Sequence, residues 1–449
     1  MANRFKANRA KAPSTRGWVL LLVIIVLICL LVQNPRKFTT SLVVDTPVST
    51  MQKVLWKQNI KSQWRPCAWW KGDPRELPEL PVESTGYIKV ECFGGLNQMR
   101  RDLCDGVGIA RLLNATLLVP HFDGAAYWND TSGFADIFDV DYFIQRTKGF
   151  VRVVKELPQT LTQVKPVFIN CRKRKDPFDY IEEVLPLLKK HKVIRILPAA
   201  SQRPDRYPLF AKSARCQACY GAIRLVKNLE QQAELMIKKL PRPFLTLHLR
   251  FEPDMIAYSQ CMYPSLSIES IKAVDAVRDS RNAFTGDTEL AWRKRGKCLL
   301  TPSDVAFIFQ ALHIPKDMPI YMATGDGILE KEGFTSVYTN TFTKSTLLDE
   351  ESLDLLKGNS KAALDYHIAV QSDYYIATMF GNMEKMVMPM RVLRNNYNSL
   401  LLKKKEFTNA TLRGLNASAL KKLMWQCHKK AFVTGKGLAL PDCFCEENL

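Results

Sequence analysis

The chain has 449 residues, 47% hydrophobic and 24% charged, a globular composition that excludes a chain without a core and leaves room for two domains of ordinary size. Its 64 Lys and Arg stand against 44 Asp and Glu, a formal charge of +20, which points toward anionic partners.

The first segment, residues 1–16, carries Arg4, Lys6, Arg9, Lys11 and Arg16 with no acid, and runs straight into GWVLLLVIIVLICLLV at 17–32, which holds no charge. As a helix that run is about 24 Å long, short for a plasma membrane and suited to the thinner early secretory membranes. Gln33-Asn34-Pro35 follows it, not the small residues of a cleavage site. The reading is a signal-anchor at 17–32 with residues 1–16 cytoplasmic and everything later lumenal; a cleaved signal peptide is the alternative. A lumenal address removes nucleic acid as a partner and leaves an anionic membrane surface, nucleotide diphosphates or acidic polysaccharide. The basic runs at 172–175 and 403–405 read as solvated faces.

Residues 33–84 contain Pro35, Pro47, Pro66, Pro74, Pro78 and Pro81 and read as a stem. It should dock near Pro66-Cys67-Ala68-Trp69-Trp70, because paired tryptophans seldom stay in water. Beyond Cys29 in the apolar run come eleven cysteines, at 67, 92, 104, 171, 216, 219, 261, 298, 427, 443 and 445. Disulfides are expected in a lumen, with at least one cysteine unpaired within the chain and the pairing unreadable. Cys216 and Cys219 lack the second ligand pair that a zinc site needs. Sequons stand at Asn114, Asn129, Asn409 and Asn416, with Asn114 the least accessible because it abuts an apolar strand.

The pattern then becomes α/β. Tyr87–Cys92 alternates as a strand, Gly94-Gly95 breaks it, and Met99, Leu103, Val107, Ala110 and Leu113 follow at helical spacing before a second strand at Thr116–Val119. That is a βαβ unit. A second region begins at Pro243, with a strand at Phe244–Leu249, a capped helix from Thr301-Pro302, a strand at Ile320–Thr324 and another at Ile368–Val370. The expected organisation is a cytoplasmic tail 1–16, a transmembrane signal-anchor 17–32, a stem 33–84, an N-terminal α/β lobe 85–242, a C-terminal α/β lobe 243–395 and a basic, Cys-containing tail 396–449.

Gly94-Gly95 allows close backbone approach ahead of a helix N-terminus, which suits an anion; the plain alternative is a tight turn. Asn97 and Gln98 add amides there. His248 and Arg250 alternate to one side at a strand's carboxyl end, where open α/β sheets bind ligands. Arg250 would grip a diphosphate or else pair with Glu252 or Asp254. Asp102, Asp105, Glu252 and Asp254 are the acid–base candidates, although Asp102 and Asp105 also read as a surface pair with Arg101. Ser372 and Asp373 would hold a base or ribose or cap a helix, and Phe380-Gly381-Asn382-Met383 turns ahead of a helix. Asp139-Val140-Asp141 is the one Asp-x-Asp, a pattern that arises easily by chance, so no metal is expected.

The stretches GGLNQMRRDLCDGVGIARLLNATLLVPHFD (94–123), FADIFDVDYFI (134–144), LHLRFEPDMIAYSQC (247–261), GKCLLTPSDVAFIFQAL (296–312) and AALDYHIAVQSDYYIATMFGNMEK (362–385) resemble the plant O-fucosyltransferase family, in family order. The resemblance implies a GT-B-like fold of two Rossmann-type lobes around a cleft, a type II membrane protein of the Golgi or ER, and metal-independent inverting transfer of fucose from GDP-fucose to a protein or glycan hydroxyl, with no cofactor. It places Gly94, Gly95, Asn97, His248 and Arg250 in the donor site and Ser372, Asp373 and Asn382 across the cleft. Arg250 would stabilise the leaving diphosphate, with Asp102 or Glu252 as base. Gln371 and Ala323-Thr324-Gly325-Asp326 depart from the family's usual Glu and AxGE-like turn, which leaves base and donor open. Rhamnosyl transfer from a uridine nucleotide onto pectin and a non-catalytic lumenal glycan-binding scaffold are the alternatives.

Overall fold

The computed structural model of the chain describes residues 64–122, 130–173, 179–198, 207–259, 261–278, 288–434 and 440–446. The expected signal-anchor at 17–32, most of the stem and Asn129 lie outside these residues. Among the described residues no helix is long and apolar enough to cross a membrane.

After a short strand β1 (Trp64–Pro66), the N-terminal lobe is laid down as β2 (Tyr87–Cys92), helix α1 (Leu96–Leu112), β3 (Thr116–Leu118), β4 (His121–Phe122), β5 (Arg152–Val154), β6 (Val167–Asn170) and β7 (Val193–Leu197). The strands pair in parallel in the order β5-β3-β2-β7-β6, with β4 also on β2. Ile88, Val90 and Cys92 are buried on one face of β2, as the alternation requires. A Cβ at Gly106 would sit 2.3 Å from a Val90 methyl, so this glycine lets α1 lie directly on the sheet.

Helix α2 (Lys227–Lys239) leads to the C-terminal lobe, which comprises β8 (Leu245–His248), α3 (Pro302–Ala311), β9 (Ile320–Ala323), β10 (Thr341–Phe342), α4 (Gly358–Gln371), β11 (Tyr374–Ala377), α5 (Glu384–Leu393) and β12 (Ser399–Leu401). Its five strands are parallel in the order β10-β9-β8-β11-β12. Helix α3 starts as its residues dictate: the Thr301 hydroxyl accepts from Asp304 N–H at 3.1 Å and the Asp304 carboxylate accepts from Thr301 N–H at 2.9 Å, a reciprocal cap with Pro302 at the first position.

Two expectations are corrected. Ile368–Val370 is the buried last turn of α4, not a strand, and the strand is the aromatic run Tyr374–Ala377 that follows it. A three-residue apolar run cannot be told from a buried helix turn by periodicity alone. The C-terminal lobe also does not stop at 395, since β12 pairs with β11 beyond that point, and α6 (Lys404–Leu412) and α7 (Ala417–Thr434) come next. The far end of the chain then returns as β13 (Phe444–Glu446) to pair with β1, Trp64 opposite Glu446.

Four disulfides are formed among the described residues: Cys67–Cys445, Cys104–Cys219, Cys216–Cys443 and Cys261–Cys298. Cys92 and Cys427 are free thiols. The neighbours Cys216 and Cys219 therefore pair with different elements instead of each other. Trp70 packs on Tyr220 and Phe444 at ring-centroid distances of 6.0 and 5.8 Å, which brings the end of the stem onto the N-terminal lobe and the returning strand.

Candidate active site

The first wall of the site grows from the carboxyl end of β2. Gly94 takes φ +104°, and a Cβ there would meet the Gln98 carboxamide at 2.4 Å, so both conformation and space call for glycine. Gly95 begins α1 with no side-chain cap, which leaves the first-turn N–H groups of that helix without the usual Ser, Thr, Asp or Asn acceptor. Buried Asn97 accepts from the Arg100 guanidinium at 3.3 Å, and Arg100 lies 4.1 Å over the Tyr366 ring of α4, to whose hydroxyl it also donates at 3.2 Å. One turn on, the two acids diverge. Asp102 accepts from Phe93 N–H at 3.1 Å and pairs with Arg172 at 2.5 Å, whereas Asp105 pairs with Arg215 at 2.6 Å. They do not form a mutual pair with Arg101. Burial pushes the Asp102 carboxyl up to about 6, against the opposing pull of Arg172 and Phe93 N–H.

The second wall is the carboxyl edge of the C-terminal sheet. His248 stands opposite Ala377 on one side and Ala323 on the other, so the segments after 248, 323 and 377 leave the sheet together. His248 Nδ1 bonds Glu384 Oε1, which also accepts from the Tyr375 hydroxyl at 3.0 Å, while Glu384 Oε2 accepts from Gly381 N–H at 2.7 Å. Glu384 is fully buried. Burial works to raise its carboxyl, but the charge and hydrogen bond of His248 and the Gly381 N–H outweigh that and hold it below the ordinary carboxylate value. Arg250 Nε lies 3.4 Å from Glu252, and its terminal nitrogen lies 3.8 Å from Asp254. The pairing weighed against a ligand role is thus present. Glu252 in turn accepts from Thr324 at 3.2 Å and from Gly325 N–H at 2.9 Å, which ties the Thr324-Gly325 turn to the end of β8. Beneath it, buried Asp365 takes Lys344 Nζ and the Tyr321 hydroxyl, each at 2.7 Å.

Arg101 of α1 donates to Asn382 Oδ1 at 2.6 Å. Together with the Arg100–Tyr366 contact, this brings the glycine turn of one lobe against the 378–383 loop of the other. Gly94, Gly95 and Asn97 thus stand at the start of α1 beside the loop that carries Asn382, and the helix after that loop holds His248 through Glu384, with Arg250 and Glu252 following at the end of β8. Ser372 and Asp373 do not join them. They precede β11, whose register with β8 is parallel, so they sit at the amino edge, about 13 Å of strand away from His248. There the Ser372 hydroxyl accepts from buried Arg391 at 3.0 Å, and Asp373 pairs with Arg242 at 3.1 Å and accepts from Phe244 N–H at 2.9 Å. Their roles in the structure are those of fasteners.

Three contributors escaped the sequence reading. Glu384 carried a signal, an acid at the first position of a helix after a glycine turn, but nothing tied it to His248. Thr378, whose N–H donates to His248 O at 3.1 Å, and Arg172, hidden in a basic run, carried none. Asp139 and Asp141 are spent elsewhere: Asp139 caps a helix by accepting from Tyr142 N–H at 2.9 Å, and Asp141 pairs with Lys155 at 2.7 Å. Of the sequons, Asn114 Nδ2 donates to Glu83 O at 2.8 Å and its Thr116 is buried in β3, Asn409 Nδ2 donates to Lys294 O at 3.2 Å, and exposed Asn416 caps α7 through Ala419 N–H at 2.9 Å.

A family model described as GDP-fucose protein O-fucosyltransferase matches residues 87–394, the stretch that carries both walls. The chain belongs to that O-fucosyltransferase family. O-fucosyltransferase 13 of Arabidopsis thaliana is 52% identical over 98% of this chain and 99% of its own length. Rhamnogalacturonan I rhamnosyltransferase 1 of the same plant is 36% identical over 69% of this chain and 64% of its own. Among solved structures, POFUT1 in complex with GDP-fucose aligns with 72% of this chain and 100% of that chain at 13% identity and a TM-score of 0.42. As an O-fucosyltransferase family member the chain is a glycosyltransferase, and the fucosyl transfer that its motifs imply is the activity of the family it joins.

Proposed function

We propose that the region between the glycine turn and the carboxyl edge of β8 and β11 binds GDP-fucose and transfers fucose to a hydroxyl of a protein or glycan, with inversion and without a metal ion. The observation that carries this reading is the convergence of His248, Arg250 and the 378–383 loop on one sheet edge, held against Gly94-Gly95 by the Arg101–Asn382 bond of 2.6 Å.

In this reaction the acceptor oxygen bonds to the anomeric carbon as the bond from that carbon to the β-phosphate oxygen breaks, and the electron pair leaves with GDP. The acceptor proton passes to a base. Asp102, with its carboxyl near 6, has the proton affinity that such a base needs at neutral pH. Glu252 is the second candidate: Thr324 and Gly325 engage one of its carboxylate oxygens, and Arg250 lies 3.4 Å from the other. Arg250 would meet the charge that develops on the leaving diphosphate, a preorganised interaction that contributes a few kcal/mol in such sites. A GT-B-like description suits the two parallel lobes. The basic, apolar N-terminus and the four disulfides support a type II anchor with the catalytic part in an oxidising Golgi or ER lumen.

The test is transfer measured with GDP-fucose and with UDP-rhamnose in the presence of a chelator, using the parent chain and Arg250→Ala. Chelator-resistant transfer from GDP-fucose, lost by more than about a hundredfold in a folded Arg250→Ala variant, is the expected result. Preference for UDP-rhamnose would move the chain to the chemistry named in its 36% identical relative. Turnover that survives in Arg250→Ala would remove Arg250 from the mechanism.

A further inference from the structure

The charges at the proposed donor site do not fall where the strand-end arginine alone would put them. Arg250 is flanked by Glu252 and Asp254 at 3.4 and 3.8 Å, so that triad is net negative. His248 shares the buried carboxylate of Glu384. Two other cations have no such partner: among the described residues neither Arg101 nor Lys385 forms an ion pair. They come from opposite lobes, Arg101 from the first turns of α1 and Lys385 from the second position of α5.

Both are held where a mobile surface cation would not be. Arg101 is fixed by the Asn382 carboxamide at 2.6 Å, an acceptor that carries no charge. Lys385 is half-buried; its ammonium lies 5.7 Å from the centroid of the Phe380 ring, and its carbonyl accepts from the Tyr220 hydroxyl at 3.2 Å. Burial and the nearby Arg101 charge depress the Lys385 ammonium, and only Glu384 opposes them. Asp102, next to Arg101 in the chain, faces Arg172 instead. Lys385, at the second position of α5, also meets the unfavourable end of that helix's dipole. Two like charges held close together, one of them half-buried, cost stability unless an anion sits between them.

We propose that Arg101 and Lys385 together form the cross-cleft counter-charge for the diphosphate of the sugar-nucleotide donor, one cation supplied by each lobe. Arg250, tied to Glu252 and Asp254, meets the charge that develops as the diphosphate leaves, while Arg101 and Lys385 balance the charge the donor brings, which draws the two lobes together at the Arg101–Asn382 contact. This rests on the donor reading above. It predicts that the nucleoside and the diphosphate are recognised by separable groups.

Calorimetric titration of the purified full chain in detergent with GDP and with guanosine tests it, using Lys385→Met, which keeps an apolar stem against Phe380, Arg101→Met, and Lys385→Arg as the charge-retaining control. Each Met variant should lose roughly ten- to a hundredfold in GDP affinity, with guanosine affinity unchanged and Lys385→Arg near the parent. An unchanged ratio of GDP to guanosine affinity in both Met variants overturns the proposal while leaving the donor reading in place. Failure of the parent chain itself to bind GDP would sink the donor reading, and the proposal with it.

Discussion

Asp102 shows what a single residue near the cleft is asked to do. In an unfolded chain an aspartate ionises near 3.9, whereas burial raises this one to about 6. Between those values the native state binds the extra proton, so its contribution makes stability fall as pH rises from about 4 to about 6 and level off above. In Asp102→Asn that downward slope should vanish from a series of urea midpoints taken across pH. If Asp102 receives the acceptor proton, kcat/KM should climb as pH passes 6, and the Asn variant should lose the climb together with about 10²–10⁴ of rate. An unaltered pH limb in the variant would transfer the role elsewhere. The neighbouring glycines were legible in the sequence because a turn before an amphipathic helix has few other readings. Glu384 was not, because its partner His248 lies 136 positions away and spacing carries no information at that range.

At the scale of elements, one misplaced strand explains the largest error in the site. With a strand assigned to Ile368–Val370, Ser372 and Asp373 fall at its carboxyl end among ligand-binding positions. With the strand at Tyr374–Ala377, the same two residues fall at the amino end and become part of a brace. The centre of that brace is Arg391, fully buried, which donates to the carbonyls of Ala369 at 2.9 Å, Ser372 at 2.7 Å and Asn398 at 3.1 Å, and to the Ser399 hydroxyl at 2.9 Å. It satisfies the chain where α4 gives way to β11 and where β12 begins. Arg391→Met should cost on the order of 3 kcal/mol or more, since several buried carbonyls lose their donor at once. A urea titration showing less than about 1 kcal/mol would mean that water replaces the guanidinium. The other parallel strands of this lobe, β8 and β9, were readable as apolar runs because both of their faces are covered.

Across the whole molecule, the division into two α/β lobes followed from two separate strand–turn–helix patterns, but the way in which the ends close could not. Cysteine positions do not encode partners, and the three-residue pairing of β1 and β13 with their disulfides depends on segments that share no local pattern. Cys443 holds the returning segment to helix Leu209–Cys216, and Cys445 holds it to the stem. Asp442, beside them, accepts from Arg215 at 2.9 Å. Cys443→Ser should lower stability by about 2–4 kcal/mol, seen as an earlier unfolding midpoint, with the free Cys216 thiol becoming reactive to a maleimide. Retention of the parent midpoint would show that the Asp442–Arg215 pair and the strand pairing suffice alone.

The Cys67–Cys445 link also has a meaning in time. Its two sulfurs are separated by 378 residues, so at about 5–20 residues per second of synthesis the first waits roughly 20–75 s for the second. Throughout that interval Cys67 is available to other thiols, and Cys216, 227 residues before its partner, for roughly 11–45 s of it. The ribosome therefore finishes both lobes before the clasp can shut, and a chain released before Cys443 would carry both sheets and neither of the two bonds that fasten the returning segment.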